Sequence, residues 1–121
     1  MRKSLIFTLS MALGAMVASG AAMGQSGDPD ADLRSQKPAH EKALVTIEQE
    51  RRVFAQDLAR REEECLKRFF SARCMDDIRA EHLREMRGFD LRREAELQAL
   101  RSIDAELRDR TRKRRVEKNA S

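Results

Sequence analysis

The chain contains no tryptophan and no tyrosine, and only two cysteines, two histidines and two prolines occur among its 121 residues. Charged residues make up 38% of the sequence. A short chain with so few bulky apolar residues cannot bury a wide globular core. High charge combined with helical periodicity is instead typical of long amphipathic helices or a coiled coil.

The sequence also lacks the residue patterns that catalysis needs. His40 and His82 are isolated from each other, and no Gly-x-Ser-x-Gly or glycine-rich phosphate loop occurs. Nucleophilic catalysis needs a positioned base next to the nucleophile, and paired helices offer no deep pocket. We therefore expect a protein that is not an enzyme and that binds no cofactor, and we interpret His40 as a solvated surface residue.

The first 24 residues have the build of a secretory signal peptide. Arg2 and Lys3 precede an apolar run over residues 5–17, and small residues follow over 18–24. This order is typical of a cleaved export signal, although an uncleaved signal anchor is an alternative. Removing residues 1–24 would take away two cations and no acid, which lowers the formal net charge from +4 to +2. We expect a periplasmic or secreted protein.

Residues 25–37 contain Gly27, Pro29 and three aspartates, so they predict a flexible, solvated tail.

Two stretches of helical periodicity follow this tail. The pattern then predicts a helix over about 38–68, a turn over 69–71 and a second helix over about 72–113. The fold class expected is all-α, a two-helix antiparallel hairpin over residues 38–113. Gly88 should kink the second helix at most, because the apolar stripe keeps its phase there. The apolar stripes are formed by Leu44, Ile47, Phe54, Leu58 and Cys65, and by Met75, Ile78, His82, Met86, Phe89, Leu97, Leu100, Ile103 and Leu107.

The two cysteines decide where the chain should turn. On one straight helix, Cys65 and Cys74 would lie about 13 Å apart along the axis and on opposite faces, too far apart for a disulfide. A turn at residues 69–71, with Ser71 as the N-cap of a second helix, would bring the two cysteines together. No glycine or proline stands between the two cysteines. Two alternatives therefore remain: unpaired thiols on one helix, or a disulfide between two chains. Because export makes pairing the default, we predict an intramolecular Cys65–Cys74 disulfide.

The end of the chain is basic. Residues 108–121 carry seven Lys or Arg against two acids, and we treat 114–121 as a basic tail. The cluster of Arg112, Lys113, Arg114 and Arg115 is a candidate for contact with an anionic envelope surface, and the alternative is a solvated helix end whose cations are favourably placed against the helix dipole. Nucleic acid is not expected as a partner of an exported protein. A helix pair of this kind leaves apolar surface uncovered, so self-association into a homodimer, as a four-helix bundle, is also predicted.

A metal site is a second hypothesis for the helix that follows Cys74. Met75, His82 and Met86 recur on one helical face, and thioether and imidazole ligands suit Cu(I). A methionine stripe is more often core, however, and a disulfide would remove the thiolates. We therefore assign no metal ligand and keep copper binding or thiol-redox activity as an alternative.

The segment Cys65-x-x-Arg68-Phe69-Phe70-x-x-x-Cys74, followed by Asp76 and Asp77, resembles a group of small exported proteobacterial helical proteins with no assigned function. The resemblance covers residues 60–105 and implies a periplasmic address. The function expected is a helical interaction or structural protein stapled by its disulfide. The alternatives are a periplasmic helical chaperone, for which Leu-Thr-x-x-Gln motifs are missing, and the copper or redox protein.

Overall fold

A computed structural model describes residues 27–121, so the predicted signal peptide lies outside the described residues. The described chain forms three helices: α1 at Ala31–Arg34, α2 at Lys37–Leu66 and α3 at Ser71–Ala120. No strand occurs over this range, and the predicted all-α class is confirmed. None of these helices combines the length and the apolar character that crossing a bilayer requires.

The two long helices lie side by side and run in opposite directions. Ion pairs join α2 to α3 at both ends of their contact, from Arg61 with Glu81 to Lys37 with Asp104. With 30 residues in α2 and 50 in α3, the helices are about 45 Å and 75 Å long. The last part of α3 therefore extends beyond the start of α2.

The core is a narrow line between the two helices. Only five apolar side chains of the described chain are buried: Ile47, Leu58, Cys65, Ile78 and Ile103. Three of them form one cluster near the turn, against which Phe54, Cys74 and Met75 pack. Narrow burial of this kind follows from the sequence, because each helix carries one apolar stripe and is charged on its other faces.

The turn differs from its prediction by a few residues. It covers residues 67–70, and α3 begins at Ser71 itself, preceded by Phe70 at the cap position. No side chain caps the helix there, so the predicted N-cap role of Ser71 is wrong. Gly88 lies in unbroken helix, because α3 continues through it to Ala120.

The two ends of the chain are more ordered than predicted. Asp30 is 2% exposed, α1 follows it, and α3 extends through the residues assigned to a basic tail. The predicted flexible tail at 25–37 is therefore wrong over residues 30–37, while residues 25 and 26 lie outside the described range. The reason is electrostatic: acidic side chains of the N-terminal segment pair with arginines of the C-terminal part of α3.

The narrow core predicts that one buried side chain carries a large share of stability. Ile78 is 3% exposed, so Ile78→Ala should lower the free energy of unfolding by about 2 to 4 kcal/mol through lost burial and the cavity left behind. Chemical denaturation followed by circular dichroism measures this change. Leu83, on the same helix but 67% exposed, is the matched control, and Leu83→Ala should change stability by less than about 0.5 kcal/mol. Equal effects of the two variants would contradict this account of the core.

Candidate binding surface at the closed end of the helix pair

The end of the helix pair where α2 turns into α3 is closed by a covalent bond. Cys65 lies in the last turn of α2 and Cys74 in the first turn of α3, and their sulfur atoms form a disulfide with the Cα atoms 5.7 Å apart. The pairing is within one chain, as the sequence predicted. We call the enclosed segment, residues 65–74, the tip.

The backbone explains how the tip turns without glycine or proline. The amide of Lys67 donates to the carbonyl of Glu64 and the amide of Arg68 to that of Cys65, at 3.3 and 3.0 Å, so α2 tightens over its last residues. Phe70 then leaves the helical conformation, with φ −105° and ψ 57°. No residue of the described chain has a positive φ. The conformation that favours glycine is therefore not needed.

The tip exposes large apolar side chains. Phe69 is 94% exposed, Phe70 78% and Leu66 69%. The two phenylalanine rings contact each other edge to face, with their centroids 5.1 Å apart. Because so little of either ring is covered, the phenylalanine pair adds little to the core.

The charges of the tip are all of one sign. Residues 65–74 contain Lys67, Arg68 and Arg73 and no aspartate or glutamate. Lys67 makes an exposed ion pair with Glu63 at 3.3 Å. Arg68 and Arg73 have no carboxylate within ion-pair distance among residues 27–121. The tip therefore combines exposed apolar surface with three cations, which is a composition suited to binding rather than to folding.

The basic cluster predicted at the opposite end is divided by the structure. Arg114 donates two hydrogen bonds to the Asp30 carboxylate, at 3.0 and 2.7 Å. Arg112 lies 3.8 Å from Asp109. Lys113 and Arg115 make no ion pair within the described part of the chain. Arg114 thus has an internal partner, and the four side chains do not present one continuous patch.

An ionic clamp, formed by Asp30 and Asp32 with Arg110 and Arg114, fixes the N-terminal segment to α3. Arg110 donates to both carboxylate oxygens of Asp32, at 3.0 and 3.3 Å. The hydrogen bond from Arg114 holds the pKa of Asp30 below its ordinary value of 3.8, and that from Arg110 does the same for the pKa of Asp32. The sequence shows the opposite charges of the two ends but not their pairing, because Asp30 and Arg114 are 84 positions apart.

The candidate metal ligands are spread along α3 rather than gathered. Met75 and Met86 are eleven residues apart on a continuous helix, which places them about 16 Å apart along its axis. Met75 packs against the core cluster, and the His82 ring stacks on Phe54 with centroids 6.4 Å apart. Within residues 27–121, no group of three His, Cys, Asp or Glu side chains could hold a metal ion. One site built from Met75, His82 and Met86 together is excluded by this geometry.

Polar contacts between α2 and α3 are not visible in the sequence. His40, expected to be a solvated surface residue, has its Nδ1 atom 2.6 Å from Oε2 of Glu96 on α3. Arg61 donates two hydrogen bonds to Glu81, at 2.8 and 2.6 Å. Finding such pairs requires the register between α2 and α3, and the predicted turn at residues 69–71 was displaced from the observed turn at residues 67–70.

Comparison with known proteins adds no relative. No protein-family model matches the sequence, and neither the curated proteins nor the solved structures give a match. The resemblance to small exported proteobacterial proteins therefore stays a prediction.

The disulfide predicts a loss of stability when it is removed. Replacing Cys65 and Cys74 together with alanine should lower the free energy of unfolding by about 2 to 3 kcal/mol, because the unfolded chain regains the freedom that a short closed loop denies it. Thermal unfolding followed by circular dichroism measures the change. Reductant should lower the melting temperature of the wild-type protein and leave that of the double variant unaltered. A reductant effect of the same size on both proteins would contradict the assignment.

The ionic clamp predicts that acid releases the N-terminal segment. Because the pKa values of Asp30 and Asp32 are lowered in the folded state, their stabilising contribution is present above the ordinary carboxyl value of 3.8 and is lost as the pH falls through the lowered values. Asp30→Asn should release the segment at neutral pH. Hydrogen exchange of the amides of residues 31–36 measures this release.

The control for the clamp is Asp76→Asn, which removes an exposed carboxylate that lies 3.5 Å from Arg79. This variant should leave exchange at residues 31–36 unchanged. If Asp30→Asn also leaves it unchanged, the clamp does not hold the segment.

Proposed function

We propose that this protein is a non-enzymatic interaction protein, a disulfide-closed helical rod that presents its tip to a macromolecular partner outside the cytoplasm. The observation that carries the proposal is the adjacent pair Phe69 and Phe70, 94% and 78% exposed on a segment that the disulfide closes. Exposed aromatic side chains grouped at one end of a molecule mark a binding surface more often than scattered apolar residues do.

The energetics support this assignment. Burying one phenylalanine side chain contributes about 1.5 to 3 kcal/mol, and the fold leaves this contribution unused at both Phe69 and Phe70. The disulfide also restricts the tip before any partner arrives. A restricted binding loop loses less conformational entropy on association than a mobile one, so more of the contact energy remains as affinity.

The proposed location follows from the cysteines and the N-terminal sequence. Structural disulfides persist in oxidising compartments such as the bacterial periplasm, and residues 1–24 have the pattern of an export signal. A periplasmic or secreted rod is the combination that satisfies both features. Nothing in this proposal requires a catalytic residue or a cofactor.

The two alternative functions have less support from the geometry. A chaperone that holds unfolded clients needs a continuous apolar face, whereas the exposed Val45, Val53, Leu83 and Leu91 are separated along the rod by charged residues. Copper binding would need ligands close together, and His82 instead packs on Phe54. Self-association through the remaining apolar surface stays a prediction.

Site-specific photo-crosslinking tests the proposed function in cells that export the protein. A benzophenone side chain in place of Phe70 should give a defined crosslinked product, because the tip contacts the partner. The same side chain in place of Leu91, which is 67% exposed in the middle of α3, should give much less. Electrophoresis and mass spectrometry identify the product and distinguish attached protein from attached lipid.

The result that would contradict the proposal is equal crosslinking, or none, at the two positions. Folding of each substituted protein is checked by circular dichroism, and it should be unchanged because both positions are exposed.

A further inference from the structure

The tip has the two properties that an anionic lipid surface recognises. Its three charges are all positive, from Lys67, Arg68 and Arg73, and no acid lies within residues 65–74. Its exposed apolar groups, led by Phe69 at 94% exposure, stand in the same ten-residue segment. Apolar side chains combined with Lys and Arg bind the boundary between headgroups and acyl chains in anionic bilayers.

We propose that the tip inserts into the interface of an anionic phospholipid bilayer, with Phe69 and Phe70 at the headgroup and acyl boundary and with Arg68 and Arg73 against lipid phosphates. This inference rests on the proposed function and names the partner of the same surface. A guanidinium group donates several hydrogen bonds in a planar fork that matches phosphate oxygens. Arg68 and Arg73 are available for this contact because neither has a carboxylate partner within the described chain.

The shape of the tip favours a bilayer over a protein pocket. The two phenylalanine rings protrude from the end of a rod and contact mainly each other. A protein partner would need a preformed cavity shaped to this projection, whereas a bilayer interface adapts to it. A nucleic acid would pair with the cations but would leave most of the apolar surface of the tip exposed.

The acids behind the disulfide limit how deeply the tip can enter. Glu63 and Glu64 precede Cys65, and Asp76 and Asp77 follow Cys74. Carboxylates are repelled by an anionic surface and are costly to remove from water. Glu64 and Asp77 line the same hollow as Phe69 and Phe70, so only the end of the tip enters the interface, and the protein lies on the membrane without crossing it.

Vesicle binding by the full chain tests the inference. The wild-type protein should sediment with vesicles made of equal parts phosphatidylcholine and phosphatidylglycerol, and much less with vesicles of phosphatidylcholine alone. Added salt should weaken the binding, because exposed charges are screened. The Phe69→Ser, Phe70→Ser double variant should bind about tenfold or more weakly. The Arg68→Gln, Arg73→Gln double variant should lose about fivefold for each cation removed.

Matched controls separate the tip from general surface properties. Arg112→Gln with Lys113→Gln removes the same charge from the far end of α3, and Val45→Ser with Val53→Ser removes exposed apolar side chains from the middle of α2. Both double variants should keep most of the wild-type binding. All these positions are exposed, so each variant should retain the wild-type circular dichroism spectrum and melting temperature.

Three results would overturn the inference. The first is that the wild-type protein does not bind anionic vesicles. The second is that the tip variants and the control variants lose vesicle binding equally. The third is competition by soluble inorganic phosphate with no dependence on Phe69 and Phe70, which would indicate an anion contact without membrane insertion. Protein crosslinked specifically through position 70, together with absent vesicle binding, would overturn the bilayer as partner and leave the proposed function standing. Lipid crosslinked through position 70 would support both.

Discussion

The disulfide between Cys65 and Cys74 holds the end of α2 and the beginning of α3 at a Cα separation of 5.7 Å. A pair of helices with five buried apolar side chains has little other means of fixing how the chain reverses. Closing this short loop reduces the entropy of the unfolded chain and sets where the two helices begin to pair. The register that aligns Arg61 with Glu81, and Lys37 with Asp104, follows from that starting point.

Charge then distinguishes the two ends of the rod. At the open end, Asp30 and Asp32 meet Arg114 and Arg110, so opposite charges are matched within the chain. At the closed end, three cations occur without an acid in the same segment. Apart from the buried Asp30 carboxylate, these charged groups are mostly exposed and contribute little to stability, so their main consequence is the electrostatic field that each end presents. At the open end, Arg110 and Arg114 are matched by acids of the N-terminal segment, whereas at the closed end Arg68 and Arg73 have no carboxylate partner within the described chain.

The sequence predicted the elements of the fold better than their ends. Helical periodicity identified α2 and α3, and the nine-residue spacing of the cysteines placed the turn within a few residues. Prediction from the sequence failed where long-range contacts decide local structure. The acidic segment before α1 was expected to be flexible, because its arginine partners lie some eighty residues away. His40 was misjudged for the same reason, since Glu96 becomes its neighbour only when the helices align.

The candidate surface could be predicted only in part. The sequence located Phe69 and Phe70 at the turn but could not show how far they protrude, because exposure depends on the conformation of the four residues between the helices. That conformation requires neither a positive φ nor a side-chain cap, so small polar residues would form the same turn and would leave less apolar surface in water. The fold therefore gives no reason for two aromatic residues at this place. The proposed contact outside the chain would give one, since it would cover the apolar surface that folding leaves exposed.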